Sequence, residues 1–559
     1  MFDKKATSIV VSVVSALNLL LFLSMRSMLG FVGYALHFAA APYIMGVILA
    51  AMVVLSFFEL LEKHNKKLLI ALFVLDCVFL IFDIAFFVGC RENYKMFLVE
   101  MAKLILVYAA IALIVYLIFY FPKSKIYTKT VATIVCSVLV AGIVFGFTDV
   151  GNLKINFITT GAAVYAVEDE YQIVWTTRAK ATAWVEVGGE KYYDEIAGSL
   201  KSTETVHKVT VPQSALDRAK EYTIYSKTMI NEEAFSALLG RTFKKTYTFR
   251  PVDESDGIQY YAVSDLHGNN SKAYAVTSYF GQATDFIVIA GDAVSYVYGK
   301  PELERLLKLA HGVSGGNIPV IYARGNHELK GEGAEILYKY VGANAQNEYY
   351  YSFRLGSIWG VVLDMGEDHD DDWKEFFGTA NFKPYRAAQL NFLDELIADK
   401  NNTYDAPDVR HRIAISHAPV AFVGGTEFFM FDELIDFNTR LNQMNLDVMI
   451  NGHLHEVFLA PKGTVAGEAM IALSEYTPTE RKFYSTGAMY DTIVCARRSN
   501  AQSRKVKEHP LGKTYTGTAF WYKTDTNSLE VRFTTDKKKV ISTINPFTGE
   551  SYGNTIYLY

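Results

Sequence analysis

The stretch VIYARGNHE, residues 320–328, places a short apolar run directly before a polar cluster. The run from Val320 to Ala323 is typical of a buried β-strand, and the next five residues carry charged, amide and imidazole side chains. Four more apolar runs end in the same way, at Ser264-Asp265-Leu266-His267-Gly268, Gly291-Asp292, Ser416-His417-Ala418 and Gly452-His453-Leu454-His455. Because functional groups of layered α/β domains collect where strands end, the five clusters predict a single site.

The apolar runs belong to a region in which strands and helices alternate. Strands are predicted at 260–263, 286–290, 320–323, 413–415 and 448–450, with helical spacing at 301–310 and 389–396. This alternation predicts an α/β layered domain over residues 253–500. Residues 501–559 return to a strand-like pattern, so we expect them to complete that domain.

The donor atoms of the five clusters are all oxygen or nitrogen, which divalent metals accept. Five of the chain's 12 histidines fall within them, whereas a lone histidine is more often a core or surface residue. The clusters hold enough ligands for two metal ions that share a bridging carboxylate. Mixed His, Asp and Asn donors favour Mn, Fe or Zn over softer metals.

The clusters resemble the calcineurin-like metallophosphoesterase superfamily, whose pattern reads D-x-H, G-D, G-N-H-[DE], H and G-H-x-H. The match runs through residues 258–500 and fills every position of the pattern. The resemblance implies a four-layer α/β/β/α fold with two sheets between helices. It also implies two metal ions and the following ligands: Asp265, His267 and His455 for one metal, Asn326, His417 and His453 for the other, and Asp292 as the bridge.

By this resemblance the chain is a metal-dependent phosphoric ester hydrolase that cleaves phosphate mono- or diesters. Two metals about 3.5–4 Å apart can bridge a hydroxide that attacks phosphorus. The catalytic residues would be Asn326, His327 as general acid, and Arg324. Arg324 is expected to bind phosphate bidentately, and the alternative for it is a surface salt bridge.

Two other functions stay open at this point. The chain could be a membrane sensor or scaffold whose phosphoesterase fold binds a phosphorylated ligand without turnover. Alternatively, its apolar N-terminal segments could bind or transport a lipid-linked phosphate substrate. The substrate itself could be a small molecule, a lipid head group or a cell-wall polymer.

Residues 154–252 have a different pattern, with several short strands in which apolar and polar residues alternate. They predict a β-sandwich, and they resemble the fibronectin-like N-terminal module of purple acid phosphatases. One position departs from those enzymes. Ser295 stands where they carry the tyrosine that ligates ferric iron, which argues against a tyrosinate–iron site here.

The first 153 residues are strongly apolar. A membrane-spanning helix needs about 20 apolar residues, and five segments, 7–23, 41–61, 68–89, 97–121 and 130–147, predict an α-helical transmembrane bundle that contacts membrane lipids. The alternatives are a buried helical core or a cleaved signal peptide. Lysines concentrate in alternate loops, so the positive-inside rule predicts a multi-pass cell-membrane protein with an extracytoplasmic catalytic domain. An exposed domain without disulfides suits a bacterial surface, although the same cysteine content would also suit a cytosolic domain.

Charge and cysteine content narrow the remaining choices. The net charge of −5 gives no sign of a nucleic-acid-binding surface, and four cysteines offer the region after residue 153 no disulfide framework. An acidic run, EDHDDD at 367–372, is interpreted as a solvated loop, with a lid or an accessory cation site as the alternative.

Overall fold

The structure is a computed structural model. It describes residues 4–24, 41–61, 66–89, 157–196, 198–231, 238–367, 371–372, 376, 378–424, 430–468, 482–495 and 515–559. The chain divides into two compact units. The first comprises residues 1–157, 178–182 and 227–243, and the second comprises 158–177, 183–226 and 244–559.

The α-helices of the described residues are α1 Lys4–Ser24, α2 Ala41–Leu61, α3 Lys66–Gly89, α4 Gln213–Ala219, α5 Asn270–Thr277, α6 Lys300–Ser314, α7 Phe382–Ala398 and α8 Phe431–Leu441.

The strands that precede the predicted α/β domain are β1 Ala163–Val167, β2 Glu170–Thr176, β3 Ala181–Val187, β4 Glu190–Tyr193, β5 Glu195–Ile196, β6 Leu200–Lys201, β7 Val206–Pro212, β8 Glu221–Asn231 and β9 Leu238–Thr248. Those that follow are β10 Ile258–Val263, β11 Phe286–Ala290, β12 Val320–Ala323, β13 Tyr351–Leu355, β14 Ile358–Leu363, β15 His411–Ser416, β16 Phe422–Gly424, β17 Val448–Asn451, β18 Val457–Ala460, β19 Phe483–Ser485 and β20 Asp491–Cys495. The last are β21 Thr516–Lys523, β22 Ser528–Thr535, β23 Val540–Ile541, β24 Thr543–Ile544, β25 Ser551–Tyr552 and β26 Ile556–Leu558.

Two large sheets organise the second unit. The first has the order β23-β22-β21-β10-β11-β12-β1-β2-β7, with β26 also paired to β22. The second has the order β13-β14-β15-β17-β20-β18. Strands β10, β11 and β12 run parallel to one another, as do β14, β15, β17 and β20. Their carboxyl ends therefore lie along one edge of each sheet.

Side chains on the two faces of the second, six-stranded sheet pack in two different hydrophobic cores. Ile413 and Ile415 of β15 join the large core that also contains the strands of the first sheet, whereas Ala414 joins a second core with α7 and α8. Because side chains of a strand point alternately to its two faces, the sheet lies between the first sheet and these helices. The outer face of the first sheet packs against α5 and α6 through residues such as Val276 and Leu306. The predicted α/β fold of this region is confirmed.

The strands upstream of residue 252 fall into more than one sheet. Strands β1, β2 and β7 extend the first large sheet, because β1 pairs in parallel with β12. Strands β4, β3, β8 and β9 form a separate four-stranded sheet. At the other edge, β21 pairs with β10 and so brings the C-terminal strands into the same sheet. The boundaries of the predicted domains stay a prediction.

The predicted transmembrane bundle is wrong. None of the helices that the structure describes is both long enough and apolar enough to cross a membrane. The apolar sequence is interrupted by polar groups that bond within the protein: Asp76 of α3 accepts hydrogen bonds from Ser15 Oγ at 2.6 Å and from Asn18 Nδ2 at 3.1 Å. The predicted spans at 97–121 and 130–147 lie outside the described residues. The extracytoplasmic placement depended on those spans and stays a prediction.

A buried carboxyl group at the start of β11 predicts a pH effect on stability. Asp285 accepts backbone hydrogen bonds from Gln259 at 2.7 Å and Asp253 at 3.2 Å, and burial raises its pKa from 3.8 to about 6. The folded state therefore binds this proton more tightly than the unfolded state. The resulting stabilisation is complete below about pH 4 and is lost as the pH rises through about 6.

Replacing Asp285 by asparagine should remove this contribution. We expect the unfolding free energy of the wild type, relative to Asp285→Asn, to fall by about 2 kcal/mol between pH 4 and pH 7. Urea unfolding of both proteins across that range measures the difference. Parallel pH profiles for the two proteins would show that Asp285 titrates normally.

Candidate metal centre

Five loops at the carboxyl ends of parallel strands carry the predicted ligands. Residues 264–268 follow β10, Gly291-Asp292 follows β11, and the GNHE sequence follows β12. His417 follows β15, and residues 452–455 follow β17. Both sheets thus deliver ligands to one edge, as predicted from the strand-and-cluster pattern.

The backbone of these loops is held in an uncommon conformation. Five of the predicted ligands have left-handed φ angles: Asp265 at 54°, His267 at 45°, Asp292 at 51°, His453 at 67° and His455 at 55°. Non-glycine residues seldom adopt this conformation, which costs about 1–3 kcal/mol each and clusters at functional sites. The surrounding structure therefore imposes a backbone conformation that these residues would rarely adopt in a free chain.

Glycines next to the ligands leave no room for a side chain. Gly291 has a φ of +83°, and a Cβ atom there would lie 2.6 Å from His417 Nδ1. A Cβ atom on Gly452 would lie 1.8 Å from Ser264 Oγ. The loops can approach one another this closely only because these positions lack a side chain.

Four of the predicted ligands converge on one point. One ligand atom from each of Asp265, His267, Asp292 and His455 lies within 4.8 Å of the others. These are the three residues predicted for the first metal, together with the predicted bridge. Both carboxylates are fully buried, so a cation among them would offset the cost of burying their charge.

His417, predicted for the second metal, also faces the bridging carboxylate. Its Nδ1 atom lies 2.7 Å from the backbone carbonyl oxygen of Ala290, which can only accept a hydrogen bond. Nδ1 is therefore the protonated nitrogen, and Nε2 points towards Asp292 Oδ2 at 3.3 Å. A carbonyl partner of this kind orients metal-binding histidines. The ring of His453 lies 5.3 Å from that of His417.

Asn326 presents a buried oxygen atom to the site. Its Nδ2 atom donates to both carboxylate oxygens of Glu367, at 3.0 and 3.1 Å. Because a carboxylate only accepts hydrogen bonds, Glu367 fixes the amide with Oδ1 on the opposite side. Within the described part of the chain, this buried Oδ1 accepts no hydrogen bond, as expected of an atom that binds a metal.

Glu367 was not among the predicted site residues. The sequence interpretation placed it in a solvated acidic loop, but its side chain is 1% exposed and also pairs with Lys330 at 3.0 Å. The missed signal is its position: Glu367 comes shortly after the buried strand β14, as the predicted ligands come after theirs. Residues 368–370 of the acidic run lie outside the described residues.

We expect Glu367→Gln to lower activity and metal affinity by about 10–100-fold, which is typical when a residue that orients a ligand is changed. The glutamine amide would place a donor against the donor of Asn326 and remove the charge that pairs with Lys330. Metal titration and steady-state kinetics of the variant measure the effect. Glu335→Gln, an exposed position in the described part of the chain, is the matched control. Equal behaviour of the two variants would contradict the role of Glu367.

Glu328 is a second missed residue, although it is part of the quoted motif. It is completely buried, and its carboxylate accepts backbone N–H groups of Gly325 at 2.8 Å, Asp292 at 2.9 Å and Val294 at 3.0 Å. Burial, together with the nearby charge of Asp292, raises the pKa of Glu328 to about 7. Glu328 thus ties the loop after β11 to the loop after β12.

The bridging carboxylate is surrounded by imidazole rings. Burial raises the pKa of Asp292, but His417, His327 and His267 outweigh burial and hold that pKa well below its usual range. Burial likewise lowers the pKa of His417, but Asp292 and Asp265 reverse the effect and raise it to about 9. The protein therefore stabilises negative charge on Asp292, which a bridging ligand requires.

His327 is positioned beside this carboxylate. Its Nδ1 atom lies 2.6 Å from the backbone carbonyl oxygen of Ser295, and its Nε2 atom lies 3.8 Å from Asp292 Oδ2. Its side chain is 25% exposed, whereas His417 is 3% exposed. His327 can therefore reach a bound substrate while one nitrogen stays fixed by the backbone.

Arg324 is engaged differently from either sequence expectation. Its guanidinium forms two 2.7 Å contacts with Asp364 Oδ2 and lies 4.1 Å from the ring centroid of Tyr349. With 12% of the side chain exposed, this is a buried ion pair and not a surface one. The predicted phosphate contact stays a prediction, and in this conformation the Nε and Nη2 atoms of Arg324 contact Asp364.

Ser295 occupies the position of the tyrosine ligand of purple acid phosphatases. Its Oγ atom lies 3.4 Å from His267 Nδ1, and its carbonyl oxygen accepts a hydrogen bond from His327 Nδ1. The next residue, Tyr296, is 43% exposed. Ser295 therefore contacts two histidines of the site, His267 and His327, and has no phenolate oxygen with which to bind a metal.

Comparison with known proteins gives a family match and several structural likenesses. Residues 258–457 match the family model described as calcineurin-like phosphoesterase. No curated protein matches the chain. The structure is similar to a purple acid phosphatase, PPD1, from yellow lupin (Lupinus luteus), at 11% identity and a TM-score of 0.41, over 71% of this chain and 73% of that one.

Two further solved structures are similar. PhoD aligns at 11% identity and a TM-score of 0.36, over 71% of this chain and 91% of its own. Phosphopantetheinyl hydrolase from Mycobacterium tuberculosis aligns at 16% identity and a TM-score of 0.24, over 37% of this chain and 86% of its own. The family match thus covers residues 258–457, and this stretch carries every predicted metal ligand.

Proposed function

We propose that this calcineurin-like phosphoesterase domain hydrolyses phosphate mono- or diesters at a centre of two metal ions. The ligands we propose are Asp265, His267 and His455 for one ion, Asn326, His417 and His453 for the other, and Asp292 between them. The observation that carries the proposal is the convergence of four of these residues within 4.8 Å. The nitrogen and oxygen donors favour Mn, Fe or Zn.

The buried polar atoms fit such a centre. Asn326 Oδ1 is buried without a hydrogen bond from the described residues, and Asp265 and Asp292 are buried carboxylates. Two bound divalent cations supply Lewis acidity and neutralise charge on a phosphoryl group. Left-handed backbone at five of the ligands keeps the donors fixed before substrate binds.

The chain's own residues supply orientation and a proton. His327 is fixed through Nδ1 by the carbonyl of Ser295, so its Nε2 atom is the one that can hold a proton for the leaving oxygen. Glu328 holds Asp292 in place through its backbone N–H, and Glu367 turns the amide oxygen of Asn326 towards the site. These contacts maintain the geometry on which hydrolysis depends.

Hydrolysis of a panel of phosphate mono- and diesters by the full-length protein tests this function. The protein is loaded separately with Mn²⁺, Zn²⁺ and Fe²⁺, and release of phosphate or alcohol is measured. We expect turnover with at least one metal and one ester class. Metal binding without turnover of any ester would instead favour the alternative function, in which the domain senses a phosphorylated ligand.

A further inference from the structure

Two exposed tyrosines lie on the loop that carries Asp292. The loop joins β11 to α6, and along it Val294 and Val297 are buried at 2% and 0% exposure. Tyr296 and Tyr298 point outward, at 43% and 68% exposure. The loop therefore buries its valines and presents two aromatic rings to solvent.

Hydrogen bonds fix this loop before Tyr296 and between Tyr296 and Tyr298. The N–H of Val297 donates to the carbonyl oxygen of Lys330 at 2.7 Å, and the N–H of Gly333 donates to the carbonyl oxygen of Val297 at 2.8 Å. The N–H of Val294 donates to Glu328 Oε1 at 3.0 Å. A loop held in this way presents its rings with little conformational freedom left to lose on binding.

The ring of Tyr296 is a neighbour of both the His327 ring and the Tyr298 ring. The ring centroid of Tyr296 lies 5.6 Å from that of His327, at an interplanar angle of 57°, and 5.6 Å from that of Tyr298, at 35°. Both tyrosine side chains are substantially exposed, so part of each is accessible to a bound molecule. Tyr296 thus lies next to His327, which would protonate a leaving oxygen, and Tyr298 lies next to Tyr296.

We propose that Tyr296 and Tyr298 form a leaving-group subsite for phosphate esters whose alcohol carries a planar aromatic ring, such as nucleoside phosphates and aryl phosphates. The subsite rests on the proposed function, because the leaving group lies on the His327 side only if His327 donates the proton. Stacking on a tyrosine face does not require a particular base, so this subsite would favour aromatic leaving groups without selecting one of them.

The chemical balance is that of simple hydrolysis. The bond between phosphorus and the leaving oxygen breaks, and a bond between phosphorus and a water oxygen forms. The proton on His327 passes to the leaving oxygen, the attacking water loses one proton, and this proton replaces the one that His327 gave up. No oxidant or reductant is needed. The tyrosines hold the departing ring and take no part in bond making.

A matched pair of substrates isolates the ring. AMP and ribose 5-phosphate share the same leaving oxygen and pentose and differ in the base. With the full-length metal-loaded protein, we expect kcat/KM for AMP relative to ribose 5-phosphate to fall about tenfold in Tyr296→Ala and in Tyr298→Ala, as expected for loss of a stacking contact. Tyr296→Phe keeps the ring and should keep the ratio. Tyr557→Ala removes an exposed tyrosine of β26 and is the control.

Equilibrium binding of AMP, measured by calorimetry, provides a readout that does not need turnover. We expect weaker AMP binding in both alanine variants and unchanged binding in Tyr296→Phe. If the wild type hydrolyses neither substrate, the binding comparison still tests the subsite, whereas the proposed function is decided separately by the panel of mono- and diesters. Equal losses for AMP and ribose 5-phosphate, or no change in AMP binding, would overturn the subsite.

Discussion

Asp292→Asn is expected to lower kcat/KM for phosphoester hydrolysis by about 10³-fold, at the upper end of what loss of one central electrostatic group costs. The Oδ2 atom of Asp292 lies close to the Nε2 atoms of three histidines, at 3.3 Å for His417, 3.7 Å for His267 and 3.8 Å for His327. The asparagine amide cannot supply the negative charge that two cations would share. It would also direct a donor towards those imidazoles or towards the backbone N–H of His327, which now donates to Oδ1 at 3.0 Å.

The control for this variant is Asp408→Asn. Asp408 pairs with Arg354 but is 81% exposed, so its replacement should leave activity unchanged. Circular dichroism and thermal unfolding show whether Asp292→Asn keeps its fold. A folded Asp292→Asn protein with wild-type turnover would remove Asp292 from the catalytic centre.

Removal of metal by a chelator is expected to abolish hydrolysis and to lower the unfolding temperature. Without cations, the buried carboxylates Asp265 and Asp292 lose the positive charge that offsets their burial. A ligand present at 100 times its dissociation constant stabilises the folded state by about 2.7 kcal/mol, and this contribution is lost on chelation. Adding Mn²⁺ back should restore both activity and stability.

The decrease in unfolding temperature on chelation should depend on the proposed metal ligands. Chelation should shift the temperature less in Asp292→Asn, because that variant has lost the shared carboxylate. Differential scanning calorimetry with and without chelator measures both proteins. Undiminished hydrolysis after exhaustive chelation would show that the reaction does not depend on a removable metal.

The strands and the ligand positions were accessible from sequence because each signal is local. Runs such as Phe286–Ala290 are apolar along their whole length, as expected of strands buried on both faces, and a polar cluster follows each of them. The order of those clusters then indicated which residues would meet. In the structure, Asp265, His267, Asp292 and His455 do meet.

The supporting contacts were not accessible, because they join residues that are far apart in the chain. Asn326 and Glu367 are 41 positions apart, and Asp292 and Glu328 are 36 apart. No periodicity predicts such pairs. Arg324 illustrates the same limit, since its partner Asp364 becomes a neighbour only when β12 and β14 pack together.

Hydropathy misled the interpretation of the N-terminal helices for a related reason. A count of apolar residues does not separate a helix that faces lipid from one that packs on other helices. Within the described residues, Val11, Leu49 and Leu72 pack in one cluster, and Ser15 and Asn18 bond to the buried Asp76. Those polar contacts could not be read from any one segment alone.

Titration of the metal-free, full-length protein with Mn²⁺ tests the central claim most directly, with phosphoester hydrolysis measured at each addition. If the seven proposed ligands form one centre of two ions, activity should rise until two equivalents of metal are bound per chain and then remain constant. Full activity at one equivalent would contradict the two-metal centre. No hydrolysis at any stoichiometry with Mn²⁺, Zn²⁺ or Fe²⁺ would contradict the phosphoesterase function itself.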